Sequence, residues 1–465
     1  MTGSVAARIT TGLAARKEVP LAAHAELPEG TGRPDPVEVL AGQDATRLPE
    51  LVPIRYGRML ASPFAFFRGA AAVMAGDLAA TPSSGLTCQL SGDAHVSNFG
   101  VFASPERRLV FDLNDFDETL PGPWEWDVKR LAASIAVAGR QNGLGRKARA
   151  AAVRAAAGRY RSAMIRFAQQ GDLEVWYAQA GADEVEIMLK ARADKAKQRR
   201  FAHQQAKART RDSLQAYRKL TSVVDGCRRI TADPPLLVPV GHLVPDADRE
   251  DLEFMVQDLL AGYAATLSAD RRHLMNGYRF VDMARKVVGV GSVGTRCWIV
   301  LLYGRDENDP LLLQVKEAPR SVLADHLPGD VRPNHRSEGE RVVTGQRLMQ
   351  ATGDIFLGWE TAEGIDGLTR DFHVRQLRDW KGSAAVESMD AAGLRLYGTL
   401  CGWTLARAHA RTGDRVAMAA YLDDGKVFDT ALAEFAESYA DRNEQDYRLV
   451  ARAAMAGRIE VRSGL

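Results

Sequence analysis

Two neighbouring stretches decide how this chain reads: 86-LTCQLSGDAHVSNFG-100 and 109-LVFDLNDFDE-118. Each opens on a short apolar run, Leu86 to Leu90 and Leu109 to Leu113, and each run stops where acidic residues begin. That pattern predicts two strands, each delivering a carboxylate-bearing loop at its end. Asp93, His95, Asn98, Asp112 and Asp115 fall within 23 residues. Gathering them costs like-charge repulsion unless a cation offsets it. The plain alternative is an acidic surface turn.

Outward from this point the texture is helical on both sides. Arg55 to Ala80 predicts a helix whose Phe64, Phe66 and Phe67 read as core. Trp126 to about Gln170 carries spaced apolar residues at helical period. Residues 1–35 mix small, charged and Pro/Gly residues and read as a loosely held, flexible N-terminal arm. Residues 190–219 hold eleven Lys or Arg against two Asp. They read either as a solvated helix face or as a basic wall that attracts an anionic ligand. Pro234 to Pro245 reads as an irregular connector. From Tyr278 the chain turns β-rich, with strands expected over Arg296–Tyr303, Leu311–Lys316, Asp354–Trp359 and Phe372–Leu377. A helix is expected over Glu338–Gln350, with more over Ala391–Ala410 and from Val427 onward.

Over 465 residues, 46% hydrophobic and 26% charged is the balance of an ordinary globular protein. Lys+Arg 61 against Asp+Glu 59 leaves a net +2, too little to point to nucleic acid or a membrane surface. No run of about 18 apolar residues is present, and the first residues lack the apolar core of a signal peptide. Cys88, Cys227, Cys297 and Cys401 lie far apart with no C-x-x-C pair. That disfavours a zinc knuckle or disulfide scaffold and suits a reducing, cytoplasmic setting.

Two later features bear on chemistry. Gly289-Val290-Gly291-Ser292-Val293-Gly294 is a G-x-G-x-x-G run followed by a β-favouring stretch from Thr295 to Val300 rather than a helix. That argues against a dinucleotide fold, and the Gly-Lys-Ser/Thr of a P-loop is missing. Strand, glycine loop, strand is the kinase arrangement, in which a hairpin covers nucleotide phosphates. Lys316 ends an apolar strand 27 residues after Gly289. It is placed like the lysine that pairs the α- and β-phosphates, with Glu340 as first choice and Glu338 as second for the carboxylate that holds it. Asp93 and Asn98 have the D-x-x-x-x-N spacing of a kinase catalytic loop, and Asp115 follows the next strand as a second metal ligand should.

These residues resemble the aminoglycoside-phosphotransferase branch of the protein-kinase-like enzymes. The matching pattern is Gly92-Asp93-Ala94-His95-Val96-Ser97-Asn98, then Asp115, then Asp127-Val128-Lys129-Arg130-Leu131-Ala132 twelve residues on. The resemblance implies that Asp127 braces the catalytic loop. Ser91 stands where the pattern has His. Across most of its length the chain also resembles the bacterial domain-of-unknown-function 2252 family, through GDAHVSNFG, FDLNDFDE, GVGSVGTR, LLQVKEA, RQLRDWKGS and LARAHARTGD. The kinase order is inverted here: catalytic loop and metal Asp come before the glycine loop and lysine. His409 and Asp414 offer no substitute loop, because Ala419 stands where Asn is needed.

The expectation is an α+β, protein-kinase-like two-lobed fold, circularly permuted. After the arm, residues 36–275 form a mainly helical lobe carrying the catalytic loop. Residues 276–382 form a β-rich nucleotide lobe, and residues 383–465 form C-terminal helices packing on the helical lobe. The expected activity is ATP- and Mg²⁺-dependent phosphotransfer. Asp93 and His95 are the catalytic residues, and Asn98 and Asp115 hold the metal. Gly289, Gly291, Ser292, Gly294, Lys316 and Glu340 position phosphates, with Gln376 and Leu377 in the hinge segment Arg375–Arg378. The partners are a nucleotide and an unidentified small-molecule or protein acceptor, with no membrane and nucleic acid disfavoured. A non-catalytic nucleotide-binding module and a two-metal phosphoesterase are the alternatives. The latter lacks a histidine in a Gly-Asn-His setting among its nine.

Overall fold

In a computed structural model, residues 3–28, 32–181, 213–224, 226–244, 249–327, 329, 335–377, 380–423 and 425–464 are described. Most of the basic 190–219 stretch, up to residue 212, and Arg378 of the expected hinge lie outside the described residues. The architecture is α+β with several antiparallel sheets.

The largest sheet has six strands in the order Gly358–Glu363, Thr369–Gln376, Pro310–Glu317, Cys297–Tyr303, Arg279–Lys286, Leu237–Pro239. Its strands alternate faces at period two. Val300, Leu302, Leu311, Leu313 and Val374 face one way, under Val256, Tyr263 and Ala264 of helix Arg249–Ala265. Ala284, Ile299, Leu301 and Leu312 face the other way, under Ala216, Tyr217 and Leu220 of helix Ser213–Leu220. That second face turns polar along one strand, from Leu312 to Gln314 to Lys316. The polar end marks where the helix cover stops and a cleft begins.

The helical body packs Trp124–Gln141, Arg146–Ala168, Ala391–Thr412, Arg415–Leu422 and Val427–Met455 around one large core. Helices Arg146–Ala168 and Ala391–Thr412 approach so closely that a Cβ on Gly402 would lie 2.2 Å from the Ala156 carbonyl oxygen. A four-stranded sheet, ordered Gly382–Ser383, Phe99–Ala103, Leu109–Leu113, Ala180–Gly181, and the pair Thr87–Leu90 with Leu120–Pro123 carry the acidic loops.

Several elements differ from expectation. The 55–80 segment is three helices, Val52–Met59, Pro63–Gly69 and Ala71–Ala79. Pro63 starts the second, with Ser62 as its cap; Phe64, Phe66 and Phe67 are buried as read. The strand expected at Asp354–Trp359 is displaced to Gly358–Glu363, and the one expected at Phe372–Leu377 runs Thr369–Gln376. The sheet recruits residues before 276, since Leu237–Pro239 pairs with Arg279–Lys286. Helix Ser213–Leu220, also before 276, covers the sheet's second face.

Nor is the N-terminal segment a loose arm. Val5–Glu18 is a helix capped by Ser4, tied to the body by Arg8 and Asp414 at 2.8 Å and Arg16 and Asp423 at 2.6 Å. His24 is fully buried, its Nε2 donating to the Tyr421 hydroxyl at 2.6 Å. Burial, with Lys129 adding to it, pulls its imidazole down to about 3. The unfolded chain therefore binds the extra proton between about pH 3 and 6.5, and stability falls as pH drops through that window, by about 1.4 kcal/mol per unit. The melting temperature is expected to fall from pH 6.5 to 4.5, and less steeply in His24→Phe. Parallel profiles would show that another group sets the slope.

Cys88, Cys297 and Cys401 are buried free thiols and Cys227 an exposed one. Among the described residues no helix is long and apolar enough to cross a membrane.

Candidate functional site

The loop after strand Thr87–Leu90 turns at Gly92, whose φ of +82° and close approach to the Glu118 carbonyl exclude a side chain. Asp127, in the first turn of helix Trp124–Gln141, accepts from the backbone N–H of Ser91 at 2.7 Å and of Gly92 at 3.0 Å. His409 Nε2 lies 3.2 Å from the same carboxylate, and Tyr160 meets His409 Nδ1 at 2.8 Å. An imidazole thus reaches Asp127 from helix Ala391–Thr412, although Ser91 supplies none. Ser134 accepts from Val96 N–H at 3.0 Å, so helix Trp124–Gln141 holds the loop at both ends.

The loop fixes its own side chains. Arg130 Nε donates to Asp93 Oδ1 at 2.8 Å. Asn98 Nδ2 donates to the Asp93 carbonyl at 2.9 Å. Because that partner can only accept, the amide orientation is set and Asn98 Oδ1 is left for the neighbouring cavity. His95 Nδ1 accepts from Ser97 N–H at 3.2 Å. Burial outweighs the nearby Asp93 and pulls its imidazole down to about 4, so it is neutral at pH 7. In this geometry His95 caps a turn.

Asn98 and Asp115 stand side by side because the hairpin joins them: Asn114 N–H donates to the Asn98 carbonyl at 3.0 Å. Asp112 points the other way. It is fully buried, paired with Arg407, and accepts from Ala351 N–H at 2.8 Å.

The cleft is a cavity of about 660 Å³ whose lining includes Asn98, Asp115, Gly289, Ser292, Lys316, Gln376 and Leu377. It adjoins a smaller one of about 120 Å³ lined by Asp93, His95, Arg68, Gly291 and Asp117. Asn98, Asp115, Gly289, Ser292 and Lys316 line both. Two stretches some two hundred residues apart thus face each other across one space.

Lys316 is buried and paired with Asp117. Burial lowers the affinity of its ammonium for a proton, but Asp117 and Asp115 more than offset this and hold it above the ordinary lysine value. The expected partners are elsewhere. Glu340 pairs with the exposed Arg336 at 3.1 Å, and Glu338 with Arg341. Ser337-Glu338-Gly339-Glu340 caps the helix: Ser337 Oγ accepts from Glu340 N–H at 3.1 Å, and Glu340 accepts from Arg336 N–H at 2.7 Å. That capping turns Glu340 away from the strand.

The glycine loop joins Arg279–Lys286 to Cys297–Tyr303, neighbours in the sheet. Residues from the N-terminal half hold it: Arg58 donates to the Gly289 carbonyl at 2.8 Å, and Leu48 N–H to the Gly294 carbonyl at 2.8 Å. Gly294 packs against Arg47 and lines neither cavity. In the hinge, Gln376 N–H donates to Asp354 at 2.6 Å and Leu377 N–H to the Leu312 carbonyl at 2.8 Å. Both amides are therefore already engaged.

Sequence reasoning gave no role to Asp117, Arg68 or Lys381, and placed Arg375 only in the hinge segment; all four line the cleft. Arg375 donates to Gln314 Oε1 at 2.9 Å. Burial, with Arg375 adding to it, lowers the Lys381 ammonium to about 7. Asp117 could have been found from the Asp115-Phe116-Asp117 alternation. Among the described residues no group of three or more His, Cys, Asp or Glu is disposed to hold a metal.

Residues 47–453 match the family described as "uncharacterized protein conserved in bacteria" (DUF2252). The chain belongs to this family. The match spans both the loop at Asp93 and the strand of Lys316, so the DUF2252 region contains every residue lining the larger cavity. No curated protein and no solved structure gave a significant match.

Proposed function

We propose that this DUF2252 chain is an ATP- and Mg²⁺-dependent phosphotransferase with a kinase-like fold in circularly permuted order. The observation that carries the reading is the shared lining. Asn98 and Asp115 from one half, and Gly289, Ser292 and Lys316 from the other, face a single cleft. The arrangement suits transfer, with Gln376 and Leu377 only in the larger cavity, Asp93 only in the smaller, and Gly289, Ser292 and Lys316 lining both.

The donors suit Mg²⁺. Asn98 Oδ1 and the Asp115 carboxylate are hard oxygens, and Asp115 makes no hydrogen bond to a described residue. One or two protein ligands suffice where phosphates supply the rest. When bound, the ion neutralises charge on the phosphates. Lys316, steadied by Asp117, offers its ammonium to phosphate oxygens. Asp93, held by Arg130, orients the acceptor hydroxyl. That oxygen bonds to the γ-phosphorus as the bond to the β–γ bridging oxygen breaks. The electron pair leaves with ADP, and the hydroxyl proton passes to Asp93. Catalysis is mainly positioning and charge stabilisation.

A second reading, nucleotide binding without transfer, draws on the Asp93–Arg130 ion pair, which occupies one oxygen of the expected base. The test is thermal unfolding with Mg²⁺ and ATP. Ligand at 100 times its dissociation constant is expected to stabilise wild type by about 2.7 kcal/mol, and Lys316→Ala by far less. Equal stabilisation of both proteins sinks the assignment of Lys316. No stabilisation of wild type sinks the nucleotide site. Stabilisation with no phosphate passed to any of a panel of hydroxyl acceptors favours the second reading.

A further inference from the structure

Arg68, in the last turn of helix Pro63–Gly69, lines the smaller cavity beside Asp93, His95 and the glycine loop. Its Nε is buried without a hydrogen-bond partner, and its guanidinium forms no ion pair with a described residue. Arg68 is half-buried as a residue, and a buried N–H that meets no acceptor is costly unless an anion supplies one. Of the carboxylates lining that cavity, all but Asp115, the proposed metal ligand, are already engaged. Asp93 is paired with Arg130 at 2.8 Å, Asp117 with Lys316, and Glu118 accepts from Val322 N–H at 2.7 Å. His95 is neutral and supplies no charge. The Arg68 backbone sits against Gly291 of the glycine loop.

We propose that Arg68 binds the terminal phosphate of the nucleotide, the group handed to the acceptor. This rests on the nucleotide reading above and adds to it a residue no kinase-type motif in the sequence marks. Lys316 and Asp115 line both cavities, whereas Arg68 lines only the one that holds Asp93. A phosphate chain entering from the larger cavity therefore meets Arg68 last. The guanidinium fork suits two oxygens of one phosphate, which an ammonium cannot match.

The experiment compares binding of Mg²⁺-ADP and of Mg²⁺ with the β,γ-imido analogue of ATP, by calorimetry, in wild type, Arg68→Ala and Arg68→Lys. Arg68→Ala is expected to weaken the analogue about tenfold to a hundredfold and ADP by less than about twofold. Arg68→Lys should fall between. Circular dichroism melts confirm that each variant folds; if Arg68→Ala does not, Arg68→Lys carries the comparison. Equal weakening of both ligands, or of neither, overturns the assignment of Arg68 and leaves the nucleotide site standing. Wild type that binds neither ligand overturns both.

Discussion

Asp93→Asn is expected to lower phosphotransfer about 10²–10⁴-fold while lowering the melting temperature less than Asp93→Ala does. An amide cannot take the acceptor's proton, but its oxygen still accepts from Arg130 at the position of Asp93 Oδ1. Asp93→Ala should lose as much activity and also stability. Arg130, only 2% exposed, would keep just the Phe67 carbonyl at 2.8 Å and the Met74 sulfur, and a buried charge stripped of its partner costs about 3–5 kcal/mol. The pair of variants separates chemistry from folding. Full turnover in Asp93→Asn, measured with ³²P-labelled ATP and an acceptor found by screening, would remove Asp93 from the reaction.

Asp127→Ala is expected to cost about 3–5 kcal/mol in urea unfolding, with loss of whatever activity the loop supports. Asp127 is 1% exposed, and its removal leaves the Ser91 and Gly92 amides and the His409 imidazole without their acceptor. Each buried donor so abandoned costs about 1–3 kcal/mol. Asp127→Asn should rescue only part. Ser91 uses Oδ2 and Gly92 uses Oδ1, and an amide keeps one oxygen and turns an NH₂ toward the other donor. Wild-type stability in Asp127→Asn would show that one of these two hydrogen bonds contributes nothing.

The two variants bracket what was legible in the sequence. Asp93, Asn98 and Asp115 could be singled out because a strand end and a short hairpin fix their spacing, and the geometry beside Asp127 matches the role its position implied. Glu340 could not be placed correctly without noticing that Ser337-x-x-Glu340 is itself a capping signal. A residue that completes a helix cap is drawn toward the backbone before it, not across to a neighbouring strand. Asp117 was in view, but nothing local said that its carboxylate, rather than one on the next helix, would reach Lys316.

By itself, then, the chain's pattern of apolar and polar residues determined the mixed α and β composition, three of the six strands of the large sheet and the stations of the acidic loop and glycine hairpin, because these are set by periods of two and 3.6 residues and by turn chemistry within reach of a few neighbours. Only the tertiary structure decided who meets whom. The Asp117–Lys316 pair, the approach of His409 to Asp127, the docking of residues 5–25 and the placement of Arg68 beside Gly291 all join segments tens to hundreds of residues apart. Such contacts follow from which buried faces pack together, and that choice belongs to the whole core rather than to any stretch of it.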